Sequence, residues 1–230
     1  MTATSDLHVD LDDKSRVAAI LDRPPNAWLL YVLAHGAGAG MRHKFLESIA
    51  AALAARGVAT FRFQFPYMEA GQKRPDSPAI AEATVQAAVD QAAAAATELP
   101  IIAGGKSFGG RMTSGAAARG LLPRVKGLAF LGFPLHPPGQ PGVHRAKHLD
   151  QVDLPMLFLQ GTRDAFARLD LLRPVCRDLA PRATLHSVEG GDHSFGVPKR
   201  SGRTPADVLD ELADTLATWA QSRVLGKAGA

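Results

Sequence analysis

Apolar runs that end at glycine or proline alternate with helical patterns along most of this chain. Residues 28–34 are continuously apolar, which is typical of a parallel strand buried on both faces. Residues 58–65 are predicted to be another strand, which ends at Pro66. Between them, residues 44–56 carry Phe45, Ile49 and Leu53 at four-residue spacing, the pattern of an amphipathic helix. This alternation predicts an α/β fold, with a mostly parallel sheet of about eight strands and helices on both faces.

The same patterns predict the remaining elements. Further strands are expected at residues 7–11, 16–21, 99–103, 125–133, 155–160 and 183–188, the first two as a hairpin. Further helices are expected at residues 81–97, 108–118 and 169–179, and residues 66–78 are predicted to be a loop. A last helix has Thr204 as its N-cap and Pro205 at its first position. Because no linker or repeat divides the chain, we expect residues 1–230 to form a single domain.

Charge and composition narrow the function classes. The 230 residues carry a net charge of +4 without any run of five or six basic residues, so we expect no nucleic-acid or membrane partner. Cys176 is the single cysteine and is predicted to be a buried small residue. The N-terminus has no apolar leader pattern and no apolar run reaches 18 residues, which favours a cytoplasmic protein.

The strongest chemical signal is the sequence GKSFG at residues 105–109, which fits the G-x-S-x-G nucleophile elbow. The serine of such an elbow lies on a tight turn between a strand and a helix, where larger neighbours would clash. The predicted strand before the motif and the predicted helix after it supply that context. Ser107 is therefore the candidate nucleophile, and a glycine-rich turn that happens to contain serine is the alternative.

Two further residues lie in loops that directly follow predicted strands. Asp164 follows the strand that ends near residue 160, and His193 follows the last strand within the sequence EGGDHSF. Alone, either is an ordinary loop residue. The chain order Ser107, Asp164, His193 is the order of nucleophile, acid and base in α/β-hydrolases. These residues are the predicted catalytic triad, with His193 as general base and Asp164 as the acid that orients it.

Residues 35–40, HGAGAG, follow the third predicted strand and consist mainly of small side chains. Acyl transfer needs two preorganised donors for the oxyanion, and we predict the backbone amides of Ala37 and Phe108. A phosphate-binding Walker A loop is excluded because no G-K-[ST] follows. A dinucleotide-binding fingerprint is excluded because Met41 occupies the position of the third glycine.

These residues together resemble the α/β-hydrolase superfamily, and more narrowly its small, uncapped, dienelactone-hydrolase-like branch. The likeness lies in residues 35–40, 61–76 (FRFQFPYMEAGQKRPD), 104–112 (GGKSFGGRM), 130–139 (FLGFPLHPPG), 160–164 and 190–195. The resemblance implies the same triad and no cofactor. It also departs from the dienelactone hydrolases proper, which use a cysteine nucleophile. Residues 134–152 are too short for a helical cap, so we expect at most a short lid and an open site.

Several other residues border the predicted site. Tyr67, Met68 and His136 are expected to line the substrate pocket, with ordinary packing as the alternative. His136, His144 and His148 share the 134–152 stretch, but their spacing suits zinc poorly, and no metal is predicted. Lys106 and Arg111 flank the elbow and are expected to be exposed charges rather than an anion site.

The sequence leaves two hypotheses for function. The first is a serine hydrolase that cleaves a small-molecule carboxylic ester or thioester through an acyl-enzyme on Ser107. The second is a catalytically weak or inactive protein of the same fold that works as a partner-binding module. Its support is that the branch is similar to a eukaryotic subunit of a histone-acetylation complex. The sequence leaves monomer and homodimer equally open.

Overall fold

The structure, a computed structural model that describes residues 1–12 and 14–226, is built on an eight-stranded sheet. The strand order is β1-β2-β4-β3-β5-β6-β7-β8. Strands β3 to β8 run parallel to one another. Strands β1 and β2 form an antiparallel hairpin, and β2 pairs antiparallel with β4. The strands are β1 (Ala3–Asp10), β2 (Arg16–Arg23), β3 (Leu29–Ala34), β4 (Val58–Phe63), β5 (Ile101–Lys106), β6 (Val125–Leu131), β7 (Met156–Gly161) and β8 (Ala183–Val188).

Helices connect most of the parallel strands. The α-helices are α1 (Lys44–Ala54), α2 (Pro66–Glu69), α3 (Pro78–Ala95), α4 (Phe108–Ala118), α5 (Leu169–Asp178) and α6 (Pro205–Trp219). The connection from β6 to β7 instead contains a 3₁₀ segment, His144–Gln151, and the last helix continues into a π-helical turn, Ala220–Val224. No helix in the described part of the chain is both long enough and apolar enough to cross a bilayer.

Alternate side chains of the central strands point to opposite faces of the sheet, and each face has its own core. In β3, Leu30 and Val32 pack into the core on the side of α3, α4 and α5. Leu29, Tyr31 and Leu33 pack into the core on the side of α1 and α6. This burial on both faces explains why the strand is apolar at every position.

The predicted fold class and the opening hairpin are confirmed, but two local predictions are wrong. Residues 66–78 were expected to be a loop, yet they begin with the short helix α2. Proline is compatible with a first helical position, so Pro66 starts this helix. Strand β5 extends through Gly104, Gly105 and Lys106 to the elbow, beyond the predicted end at residue 103, because both neighbouring strands supply pairing partners.

The start of α6 and the burial of the cysteine match their predictions. Thr204 caps α6 by accepting from the Asp207 amide, while the Asp207 side chain accepts from the Thr204 amide, which completes a capping box. Cys176 lies in α5 with 6% of its surface exposed. Burial raises the pKa of its thiol to about 12, so the thiol stays protonated at neutral pH.

Candidate active site

The carboxyl ends of the parallel strands form one edge of the sheet, and the predicted site residues lie along it. Strand β5 lies between β3 and β6, so the residue after β5 is near the middle of this edge. Ser107 is that residue and is the N-cap of α4. Asp164 follows β7, and His193 follows β8. Ligands of open α/β sheets bind at this edge.

The turn at Ser107 has the backbone of an elbow. Ser107 has φ 50° and ψ −112°, a sparsely populated region for a residue with a side chain. A Cβ atom on Gly105 would lie 2.3 Å from the Ala34 carbonyl oxygen, and one on Gly109 would lie 2.6 Å from the same atom. The turn therefore packs so closely against the end of β3 that glycine is needed on both sides of the serine.

Ser107, His193 and Asp164 form one continuous chain of hydrogen bonds. The His193 Nδ1 atom is 2.7 Å from Asp164 Oδ2, and His193 Nε2 is 2.9 Å from Ser107 Oγ. A carboxylate only accepts, so the ring hydrogen is on Nδ1, and in the neutral ring Nε2 accepts from the serine hydroxyl. This is the arrangement in which an imidazole can remove the proton of an attacking hydroxyl.

The Asp164 side chain is fully buried and held by donors that the sequence did not reveal. Gln160 Nε2 donates to Asp164 Oδ2 at 2.5 Å, and the Phe166 amide donates to Oδ1 at 2.7 Å. The Phe166 ring also lies against the His193 ring, with 4.3 Å between their centroids. Gln160 ends an apolar strand, and a polar residue there was the signal that could have identified it.

The 35–40 loop lies directly beside the serine. A Cβ atom on Gly36 would be 3.8 Å from Ser107 Cβ. Among the described residues, neither the Ala37 amide nor the Phe108 amide has a hydrogen-bond partner. Phe108 begins α4, so its amide is one of the free donors at a helix N-terminus. Two unpaired amides therefore lie in the two segments that flank the nucleophile.

His35 fastens the start of this loop to the next strand. Its side chain is fully buried, with Nδ1 2.8 Å from the Gly36 carbonyl oxygen and Nε2 accepting from the Phe65 amide at 3.1 Å. Burial lowers the pKa of His35 to about 4, although the hydrogen bond to Gly36 acts in the opposite direction. The ring is therefore neutral at physiological pH, and its two nitrogens fix two segments of the site.

This burial predicts acid sensitivity. Between pH 6.5 and pH 4 the unfolded chain binds a proton at residue 35 that the folded chain does not, so acidification lowers the free energy of unfolding. The contribution from His35 reaches about 3 kcal/mol near pH 4. Urea unfolding from pH 7 to pH 4 should show a smaller loss of stability in His35→Gln than in wild type. His8→Gln, which changes an exposed histidine, should keep the wild-type dependence. If the free energy of unfolding fell equally with pH in wild type and His35→Gln, His35 would not be the source of the acid sensitivity.

Tyr67 and Met68 lie against the 35–40 loop. Tyr67 is buried, and its hydroxyl oxygen accepts from the Gly38 amide at 2.8 Å. Met68 is partly buried, and its terminal methyl carbon lies 3.5 Å from the position of a Cβ on Gly40. Tyr67 thus holds the loop in place through its hydroxyl, and the pocket-lining role of both residues stays a prediction.

His136 is buried next to the loop that carries Asp164. Its Nδ1 is 2.8 Å from the Pro137 carbonyl oxygen, and its Nε2 accepts from the Arg168 amide at 3.2 Å. Its own amide donates to the Phe166 carbonyl oxygen. His136 therefore ties the 134–152 stretch to the segment that carries Phe166, the residue packed on His193.

Lys106 is not the exposed charge that the sequence predicted. Its side chain is partly buried, and its Nζ atom donates to the His193 carbonyl oxygen at 2.5 Å. The ammonium also lies 5.5 Å from the centre of the Phe195 ring. Burial lowers the pKa of Lys106 to about 8, and the negative charges of Asp164 and Asp192 oppose that shift. The lysine beside the nucleophile therefore anchors the loop that carries the base.

The three histidines of the 134–152 stretch do not converge. His136 binds backbone groups, whereas His148 Nε2 lies 2.7 Å from Ser114 Oγ. Within residues 1–12 and 14–226, no group of three or more His, Cys, Asp or Glu side chains is placed to hold a metal ion.

Comparisons with known proteins agree with this fold. A family model described as an alpha/beta hydrolase domain matches residues 28–221. The fold is similar to a dienelactone hydrolase from Anabaena variabilis, with a TM-score of 0.78, 17% identity, and 97% of this chain and 99% of that chain covered. It is also similar to a serine hydrolase without a lid from Xanthomonas campestris, with a TM-score of 0.73, 20% identity, and coverage of 95% and 96%. An esterase domain from Rhodothermus marinus matches with a TM-score of 0.72, 19% identity, and coverage of 96% and 99%.

Proposed function

This chain belongs to the alpha/beta hydrolase domain family, and we propose that it is a serine hydrolase that cleaves small carboxylic esters or thioesters. The observation that carries the proposal is the unbroken series of hydrogen bonds from Asp164 through His193 to Ser107. Such a series activates a serine hydroxyl, which is otherwise a weak nucleophile. The names of the similar structures, an esterase domain among them, agree with this reaction class.

The proposed reaction starts with attack of Ser107 Oγ on the substrate carbonyl carbon, while His193 Nε2 takes the hydroxyl proton. The Ala37 and Phe108 amides stabilise the resulting oxyanion, and Asp164 stabilises the positively charged imidazole. His193 then protonates the departing alcohol or thiol, which leaves an acyl-enzyme on Ser107. Water then attacks the acyl group while His193 takes its proton. His193 returns that proton to Ser107 Oγ as the acyl–serine bond breaks, and the acid product leaves.

The candidate site lies at an edge of the sheet that no helical cap covers within the described residues. The 134–152 stretch contains one 3₁₀ segment and no α-helix within the described residues. His193 retains 20% side-chain exposure, so its ring is partly accessible from solvent. We therefore propose small or medium acyl groups, with Tyr67 and Met68 on the loop side and His136 on the acid side of the pocket.

A fluorophosphonate probe tests the proposal directly, because it reacts with activated serines. We expect one adduct by intact mass, mapped by peptide sequencing to residue 107, followed by turnover on a panel of ester and thioester substrates. A folded wild-type protein that forms no adduct would contradict the proposal. That outcome would favour a partner-binding role for the same fold.

A further inference from the structure

A cavity of about 300 Å³ lies away from the catalytic series, between the start of α3, one face of α4 and the 3₁₀ segment His144–Gln151. The lining includes Glu82 of α3, Arg111 of α4, Arg119 at the C-cap of α4, and Arg145 and His148 of the 3₁₀ segment. None of these side chains takes part in the proposed reaction. The cavity therefore combines three guanidinium groups from two elements that pack against each other.

Two of these arginines form no ion pair with any of the described residues. Among the described residues, no ion pair or hydrogen bond engages the guanidinium of Arg111 or of Arg145, although both side chains are partly buried. Burial lowers the pKa of Arg111, and repulsion from Arg145 lowers it further, whereas attraction to Glu82 acts in the opposite direction. The buried Arg62, by contrast, pairs with Asp22 at 2.7 Å. Two neighbouring unpaired cations in a partly buried place cost free energy unless an anion is present.

Glu82 is the only carboxylate that lines the cavity within the described residues, and Arg119 is already bound to it. The Arg119 Nε atom lies 3.0 Å from Glu82 Oε2, and 7% of the Glu82 side chain is exposed. Glu82 is pressed against α4, since a Cβ on Gly115 would lie 2.4 Å from Glu82 Oε1. One carboxylate against three guanidiniums leaves an excess of two positive charges.

We propose that this cavity binds a doubly charged oxyanion, the phosphate group of a small molecule, between the guanidiniums of Arg111 and Arg145. A dianion matches the excess charge, and the planar guanidinium presents paired N–H donors that fit phosphate oxygens. The cavity has room beyond the phosphate group itself. Free phosphate and a phosphate ester are therefore both tested as ligands.

Isothermal titration calorimetry on the full chain measures this binding, and the measurement does not depend on the activity of Ser107. Inorganic phosphate and glycerol 2-phosphate are titrated separately at constant ionic strength with chloride. We expect one saturable site in wild type. The ester should bind more tightly than inorganic phosphate, because its glycerol group occupies the part of the cavity that phosphate leaves empty. Arg111→Gln and Arg145→Gln should each raise the dissociation constant about tenfold or more, because each removes a charge-assisted pair of hydrogen bonds.

Two further variants distinguish binding inside the cavity from a non-specific attraction of anions to the positive surface. Lys147→Gln removes an exposed charge from the same 3₁₀ segment but does not line the cavity, so the dissociation constant should stay within about twofold. Glu82→Gln should tighten binding several-fold, because it removes the competing carboxylate and frees Arg119. Circular dichroism confirms that each variant is folded.

Absence of saturable binding of either ligand to folded wild type would overturn the proposal. So would an effect of Lys147→Gln as large as that of Arg111→Gln, since that would indicate diffuse attraction. Neither result depends on Asp164, His193 or Ser107. The proposed anion site can therefore be contradicted while the proposed hydrolase activity is confirmed, and the reverse.

Discussion

Replacement of Ser107 by alanine is expected to lower kcat/KM for ester hydrolysis by about 10⁴- to 10⁶-fold. The hydroxyl is the atom that forms the acyl-enzyme, and no other described hydroxyl lies within hydrogen-bond distance of His193 Nε2. The Ala37 and Phe108 amides remain in the variant, so a small rate above the uncatalysed reaction should persist. The fold should be retained, because alanine removes only the Oγ atom from the turn.

Steady-state kinetics on an activated ester, with the fluorophosphonate adduct as a second readout, measure this loss. Ser222→Ala is the matched control, since Ser222 is exposed in the final π-helical turn. It should leave both the rate and the adduct unchanged. If Ser107→Ala kept even a tenth of the wild-type rate, the acyl-enzyme mechanism on this serine would be wrong.

Replacement of Asp164 by asparagine is expected to lower kcat by roughly 10³- to 10⁴-fold while the fold persists. The Asp164 carboxylate accepts from His193, Gln160 and the Phe166 amide. An amide offers one oxygen and one NH₂ group for these donors. If its NH₂ group faces His193, the ring must carry its hydrogen on Nε2, and it can no longer accept from Ser107.

The control for this change is Asp192→Asn, in the residue next to the base. Asp192 Oδ1 accepts from the Ser194 and Gly196 amides, and asparagine also has an oxygen for these bonds. It should retain most of the wild-type rate. A pH–rate profile of Asp164→Asn should rise toward high pH, where hydroxide replaces the lost general base. If both variants lost activity equally, the effect would come from the loop and not from the acid.

The predicted elements that matched most closely are bounded by strong local signals. Helix α4 has the predicted bounds, because the elbow defines its start. Strand β8 also matches, since polar residues and glycine follow it directly. The position of β4 between β2 and β3 was not predictable, because strand order depends on tertiary pairing. Helix α2 was missed because four residues are too few to show a helical period.

In the candidate site, too, local sequence signals predict some residues, and tertiary contacts determine the others. Ser107, Asp164 and His193 could be proposed from the sequence because each follows a strand in the expected order. The supporting residues could not. The sequence predicts an exposed charge at Lys106, and only the fold shows that its ammonium group donates to the His193 carbonyl oxygen. Gln160 and His35 support the site through hydrogen bonds to residues that are brought together by the sheet.

The buried thiol of Cys176 gives the protein an internal reporter of helix opening. It is the single cysteine of the chain, and burial keeps it both protonated and shielded. A thiol reagent therefore reacts with the native protein only during the moments when α5 separates from the sheet. The rate of that reaction measures how often this side of the molecule opens, with no label or mutation introduced beforehand.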